Sequence, residues 1–318
     1  MKKTMTAVLA STLIAISIVP ANADLKPRTI SPSLAILDTA LDTSIPSIKS
    51  NLVGEVCILD WSSCPNKKSF MEGPGSSVLP IKMLLSSNFN HGTQMVSAAL
   101  LNNPNLNIVF VRIFGNTKSG ERQSTGINTV VNALNWVKTN KDKYNIVAVS
   151  LSQGAISPVI NKSATSNYCV ATALDPVISS LYSMNIPVFF PAGNSAGQTK
   201  MAGKIEWPAC IKDSIAIGGV ETLGRPSISL ISNYDSNLID LWGEIRQPTI
   251  YPGNIPGYSY GTSVSNQVIA AKYVALKASK PLLTLNELIS LMKISSDKVE
   301  NNLGQNVFLF NLDKAING

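Results

Sequence analysis

A single histidine, His91, stands in the 318-residue chain, within Asn90-His91-Gly92-Thr93. Acyl transfer at neutral pH needs a base that titrates near pH 7, and imidazole supplies that best. A lone histidine is as readily incidental, so its weight depends on its company. Gly261-Thr262-Ser263 leads into a stripe of small apolar residues, Val264, Val268, Ala271 and Ala275. A serine at a helix N-terminus sits beside free backbone N–H groups and a positive dipole end, which favour an oxyanion at a bound carbonyl. The same residues also suit an ordinary N-cap. Asp38 follows the apolar run Leu34-Ala35-Ile36-Leu37. It is either a turn residue or the carboxylate that holds an imidazole in one tautomer. Asn194, in Pro191-Ala192-Gly193-Asn194-Ser195-Ala196-Gly197, is either a loop residue or a side-chain amide offered to an oxyanion.

These four residues need a scaffold. Leu34–Leu37 reads as a buried strand, as do Ile108 to Phe114, Ile146 to Leu151, Ile186 to Phe190 and Ile215 to Val220. Ile127, Val130, Val131, Leu134 and Val137 recur at helical spacing, and helices are also predicted over Ala171 to Met184 and Ser263 to Ala278. Thr284-Leu285-Asn286-Glu287 is a capping box opening a helix that runs to about Lys293. This alternation predicts an α/β fold of three layers, a mostly parallel sheet flanked by helices. In such sheets ligands bind beyond the C-terminal ends of the strands, where Asp38 and Asn194 fall.

Features of the whole chain narrow the function classes. Lys2 and Lys3, the apolar Ala7 to Val19 and the small-x-small site Ala21-Asn22-Ala23 read as a signal peptide over residues 1–23, leaving one domain over 24–318. No later stretch has the roughly 18 uninterrupted apolar residues a membrane span requires. The expected location is therefore extracellular or periplasmic, with no membrane contact after cleavage, and a monomer. Net charge is +7, falling to +5 without Lys2 and Lys3, and no run of like charges marks a nucleic-acid surface. Four cysteines in an exported chain point to disulfides. Three pairings are open, and the sequence-local one, Cys57–Cys64 with Cys169–Cys210, is preferred. No cofactor or metal is expected. Calcium at Asp42, Asp235 or Asp240 is the alternative, although no EF-hand-like spacing occurs.

The order Asp, His, Ser along the chain is that of subtilisin, against His, Asp, Ser in chymotrypsin and Ser, Asp, His in α/β-hydrolases. Gly257-Tyr258-Ser259-Tyr260-Gly261 formally matches the G-x-S-x-G elbow of the last group. That elbow needs a preceding strand, whereas Pro252, Gly253 and Pro256 read as a loop, and it needs a later histidine, which is absent. The chain instead resembles the subtilisin-like serine peptidases (subtilases, family S8) over roughly Ser33 to Ala278. Ala35-Ile36-Leu37-Asp38-Thr39 is similar to the family's Asp motif, His91-Gly92-Thr93 to its His motif and Gly261-Thr262-Ser263 to its nucleophile motif. Val149-Ser150-Leu151 is similar to the substrate-binding strand and Ala192-Gly193-Asn194 to the oxyanion motif. Cys57 with Cys64-Pro65-Asn66, and Cys169 with Trp207-Pro208-Ala209-Cys210, resemble a cysteine-bearing bacterial branch.

The resemblance implies a secreted endopeptidase acting on peptides or proteins. Ser263 attacks, His91 serves as base and then acid, Asp38 orients His91, and Asn194 with the Ser263 N–H binds the oxyanion. The backbones of Ser150-Leu151-Ser152 and Ala192-Gly193 pair with an extended substrate. Some positions depart from the family. Ala40 stands for Gly, Met95-Val96-Ser97 for Val-Ala-Gly, and Val264-Ser265-Asn266-Gln267 for Met-Ala-x-Pro; the upstream Ala-Pro-Gly is missing, with Leu241-Trp242-Gly243-Glu244 in that region. Residues 24–37 number only 14, too few for a folded propeptide. Two other functions are weighed: a peptide-binding relative without turnover, which loss of Ser, His or Asn would have indicated although all three remain, and a maturation protease with one exported partner, which the unusual flanks and short leader fit.

Overall fold

A computed structural model describes residues 31–153, 169, 172–197, 204–224, 226–235, 237–300 and 306–318. The expected signal segment lies outside the described residues. The first half runs β1 (Ser33–Asp38), α1 (Pro46–Asn51), β2 (Leu52–Ile58), β3 (Phe70–Glu72), α2 (Ile81–Leu84), α3 (His91–Asn102), β4 (Asn107–Arg112), α4 (Ile127–Asn140) and β5 (Ile146–Leu151). Next come α5 (Asp175–Ser183), β6 (Val188–Pro191), β7 (Ile215–Glu221), β8 (Ser227–Ile228), β9 (Leu241–Glu244), β10 (Arg246–Tyr251) and β11 (Ile255–Tyr260). The chain closes with α6 (Thr262–Ser279), α7 (Leu285–Ile294), β12 (Ser296–Glu300), β13 (Asn306–Phe310) and α8 (Leu312–Asn317).

The sheet has the order β12-β13-β9-β7-β6-β5-β1-β4-β2-β3, with β8 paired to β7. Its middle, from β2 to β9, is parallel throughout. β1 lies at the centre, so both its faces are covered, and Leu34, Ala35, Ile36 and Leu37 are all fully buried. Successive side chains point to opposite faces. Ala35 and Leu37 therefore join Val130, Leu134, Ile178 and Leu181 of α4 and α5. Leu34 and Ile36 join Val96, Ala99, Ile269 and Tyr273 of α3 and α6. Burying each such Leu or Ile stabilises the fold by about 1.5–3 kcal/mol, which holds β1 in register and fixes where its last residue, Asp38, emerges.

The predicted α/β architecture is present, with differences at the edges. β4 stops at Arg112, although the Ile113 N–H still bonds to Asp38 O, and α5 starts at Asp175. The reading of Pro252 to Pro256 as a loop needs correction. Only a short turn joins β10 to β11, and Pro256 lies in an antiparallel ladder opposite Ile250. Proline is tolerated there because this two-stranded ribbon lies outside the main sheet. The capping box at Thr284 forms as predicted, with Thr284 and Glu287 bonded reciprocally. The four cysteines pair as Cys57–Cys64 and Cys169–Cys210, leaving none free.

Candidate active site

Asp38 leaves β1 fully buried, and its Oδ1 accepts the Thr39 N–H at 2.6 Å. The Thr39 hydroxyl donates to Phe89 O and accepts the Gly92 N–H, tying the end of β1 to the first turn of α3. Gly92 is required there. A Cβ would lie 2.4 Å from Ala40 O and 2.8 Å from the Phe110 ring. This close approach presents His91, the first residue of α3, to Asp38: Nδ1 lies 2.9 Å from both carboxylate oxygens. Imidazole held this way carries its proton on Nδ1 and leaves Nε2 as the basic nitrogen.

Ser263 is the second residue of α6. Gly261 precedes the helix with φ of 138°, a conformation that favours glycine, and a Cβ there would lie 3.2 Å from the Asn194 amide nitrogen. Thr262 N–H and Thr262 Oγ1 both donate to Asn194 Oδ1, at 2.8 and 3.0 Å. With its oxygen so occupied, the exposed Asn194 amide is left with its NH₂ to offer. The Ser263 hydroxyl donates to Ser152 O at 2.8 Å, and among the described residues no hydrogen bond joins it to His91. Catalytic hydrogen bonds are often unmade in an empty site and form when substrate binds.

Asp38, His91, Ser263 and Asn194, 225 positions apart from first to last, thus lie at the C-terminal edge of the sheet: Asp38 ends β1, His91 and Ser263 open α3 and α6, and Asn194 lies in the loop after β6. A carboxylate, an imidazole, a hydroxyl at a helix N-terminus and a tethered amide are the parts of nucleophilic acyl transfer. The family model for the subtilase family (peptidase S8) matches residues 30–309. The chain belongs to the subtilase family. It is a serine-type endopeptidase, a hydrolase of peptide or protein substrates. Among curated relatives, the major intracellular serine protease of Bacillus subtilis (strain 168) is 22% identical over 255 residues, covering 77% of this chain and 68% of that protein. A cold-adapted subtilisin-like serine proteinase shares the fold, with a TM-score of 0.62, 18% identity and 88% of each chain covered. A protease of Pseudoalteromonas arctica does so with a TM-score of 0.66, 16% identity, and 91% of this chain and 90% of the other covered.

The departures of this subtilase from the family pattern have local causes. Ser97 accepts the Ile250 N–H at 2.8 Å and donates to Gln94 O, so its hydroxyl fastens β10 to α3. Asn266 and Gln267, both fully buried, follow Ser263 in α6. Asn266 Nδ2 donates to Ser150 Oγ, Ser152 Oγ and Phe189 O, and Gln267 Nε2 donates to Ser152 Oγ. The Ser152 hydroxyl in turn donates to Ser263 O at 3.1 Å. A polar brace therefore joins β5 to α6, with Gln267 at the place of the motif's proline. Ala40 packs with Leu79, Leu84 and Phe89.

The backbones expected to meet substrate already have partners within the fold. Ser150 and Leu151 are paired with Ile36 and Leu37 of β1, and Ser150 with Phe189 of β6, so their backbones lie inside the sheet. The Ala192 N–H donates to Ile217 O and its carbonyl accepts the Glu206 N–H. Gly193 donates to Thr262 Oγ1 and accepts from Asn233 N. Of the five, Ser152 stands just past the end of β5, with its carbonyl on Ser263.

Several residues at the site were missed by sequence reasoning. The Gln153 amide nitrogen lies 2.7 Å from His91 Nδ1 and 3.4 Å from Asp38 Oδ1, and Arg122 donates to its oxygen at 3.5 Å. Polar residues on the otherwise apolar face of α6 were the signal for Asn266 and Gln267. Arg112, opposite Asp38 in the ladder, is fully buried and donates to Phe114 O and Asn116 Oδ1. Burial pushes its guanidinium down to about 10, so it stays cationic at neutral pH. The rival Ser259 is buried in β11, bonded to Gln94 Oε1 and Thr249 Oγ1, with no imidazole beside it.

The carboxylates weighed for calcium do not meet. Asp42 accepts from Ser44 and from Gly253 N, Asp235 from Asn237 N, and Asp240 from Ala216 N and Lys293. Burial alone raises the Asp42 carboxyl, but the bonds from Gly253 and Ser44 outweigh it and hold it below the usual carboxylate range. Burial raises Asp240, with the Ala216 N–H and Lys293 opposing.

Proposed function

We propose that this subtilase cuts peptide bonds through a covalent acyl-enzyme, with Ser263, His91 and Asp38 as its triad. Ser263 Oγ attacks the scissile carbonyl carbon while its proton passes to His91 Nε2. The tetrahedral intermediate collapses, the C–N bond breaks, and His91 hands the proton to the leaving amine. Water, deprotonated by His91, then releases the acyl group and restores Ser263. Asp38 holds the imidazole and stabilises its cation, and the Asn194 NH₂ with the Ser263 N–H receives the oxyanion. The observation that carries the reading is His91 Nδ1 at 2.9 Å from both oxygens of a fully buried carboxylate, on the same rim as Ser263 and Asn194. Substrate binding at Ser152 O displaces the Ser263 hydroxyl toward His91.

The mature chain is proposed to begin at Asp24 and to work as a monomer outside the cytoplasm. Two disulfides fit that location, and among the described residues no helix is long and apolar enough to cross a membrane. Digestion of casein and a peptide library by wild type and Ser263→Ala tests the reading. Broad cleavage by wild type alone supports it, and one cut in one protein marks a maturation protease. Absence of any cleavage means a peptide-binding relative, the role that the Ser263–Ser152 bond would suit if it never opened.

A further inference from the structure

Resting on the peptidase reading and deepening it, we propose that Glu206 selects lysine or arginine as the substrate residue whose carbonyl is attacked. The Glu206 side chain lies against the loop that carries Asn194. Its backbone N–H donates to Ala192 O at 2.8 Å, and Ser195 Oγ donates to Oε1 at 2.6 Å. A Cβ on Gly193 would meet the Glu206 carboxyl carbon at 2.5 Å and Oε1 at 2.8 Å, so this carboxylate covers Gly193. The attacked carbonyl sits between Ser263 Oγ and the Asn194 amide, and the Cα of its residue is one bond away. Lysine and arginine carry their charge at the end of long side chains, and the carboxylate that could meet it covers Gly193, the residue beside Asn194.

The state of the two oxygens separates recognition from propping. Oε1 is pinned by Ser195, which fixes the direction of the group. Oε2 has no hydrogen bond among the described residues and is not among the buried polar atoms that lack a partner, so it keeps access to solvent. No lysine, arginine or histidine among the described residues forms an ion pair with Glu206. An oriented carboxylate with one free oxygen beside a reacting centre recognises a cation. A loop prop would need only Oε1, and glutamine would serve Ser195 equally well.

The test is kcat/KM on matched peptide amides with Arg, Lys, Leu or Glu at the attacked residue, together with cleavage-site mapping in a peptide library. Wild type should cut after Arg and Lys. Glu206→Gln should lower the Arg-to-Leu ratio by about 10- to 100-fold, the worth of a hydrogen bond to a charged group, and Glu206→Lys should move preference toward Glu. Protection of Ser263 from a fluorophosphonate by a peptidyl-argininal over a peptidyl-leucinal gives the same ranking without turnover. Cleavage after apolar residues, or an Arg-to-Leu ratio unmoved in Glu206→Gln, overturns the assignment of Glu206 and leaves the peptidase reading standing. A protein that neither cuts peptides nor takes the fluorophosphonate overturns both.

Discussion

Thr262→Val is the substitution that most directly separates a positioned oxyanion amide from a loop residue. Thr262 is fully buried; its hydroxyl accepts the Gly193 N–H at 3.3 Å and donates to Asn194 Oδ1 at 3.0 Å. Valine keeps the shape and the backbone bond to Asn194 but deletes both hydroxyl bonds. Losing the bond to Asn194 costs about 1 kcal/mol, and stranding the Gly193 N–H adds about 1–3 kcal/mol. The sum of roughly 2–4 kcal/mol lowers Tm by about 3–6 °C in a domain of this size. The kinetic effect is distinct. Asn194 is then held by one bond in place of two, so kcat should fall about tenfold with KM nearly unchanged. That is less than the about 10²–10³ lost when a subtilisin gives up its oxyanion donor altogether. Thr262→Ser should restore both quantities, and Asn194→Ala in the Thr262→Val background should cost less than Asn194→Ala alone. Steady-state kinetics on a peptide amide, with melting curves, reads every term. A Thr262→Val enzyme that melts early but keeps its kcat, or whose loss lies entirely in KM, refutes the reasoning.

Asp42 should act as an acid-sensitive fastener between the segment after β1 and the β10–β11 turn. Its folded-state ionisation lies below the ordinary value of about 4, so its stabilisation is complete above that value and is lost as pH falls through the lowered one. The Tm gap between wild type and Asp42→Asn should therefore be widest near neutrality and narrow on acidification; a gap that widens in acid contradicts it. Removing the Cys169–Cys210 bridge, which spans 41 positions, should cost roughly 3–4 kcal/mol in urea unfolding, and an unchanged midpoint would deny the bridge a stabilising role.

The parallel core was legible because buried strands leave a strong signal: Leu34–Leu37 and Ile146–Leu151 are continuous apolar runs. The candidate triad could be proposed from sequence because the chain holds a single histidine and the order Asp, His, Ser is informative. The β10–β11 ribbon was hidden, since Pro252, Gly253 and Pro256 resemble a loop and the ribbon's stability comes from contacts such as Ser97 to Ile250. That Ser150 pairs with both β1 and β6 while Ser152 stands past the end of β5 was not legible, because the two serines look alike in sequence and only the sheet pairing separates them. Glu206 was invisible for a related reason. It lies 12 positions from Asn194, and nothing local marks a glutamate that folds back over a glycine.

The central claim is that Ser263, activated by His91, is the nucleophile. Reaction of the intact protein with a serine-directed fluorophosphonate, followed by peptide mapping, tests it most directly. The account predicts one adduct, on Ser263, absent in Ser263→Ala and formed far more slowly in a folded His91→Ala variant. An adduct on Ser259 or any other serine, or a labelling rate on Ser263 that is unchanged without His91, would contradict it.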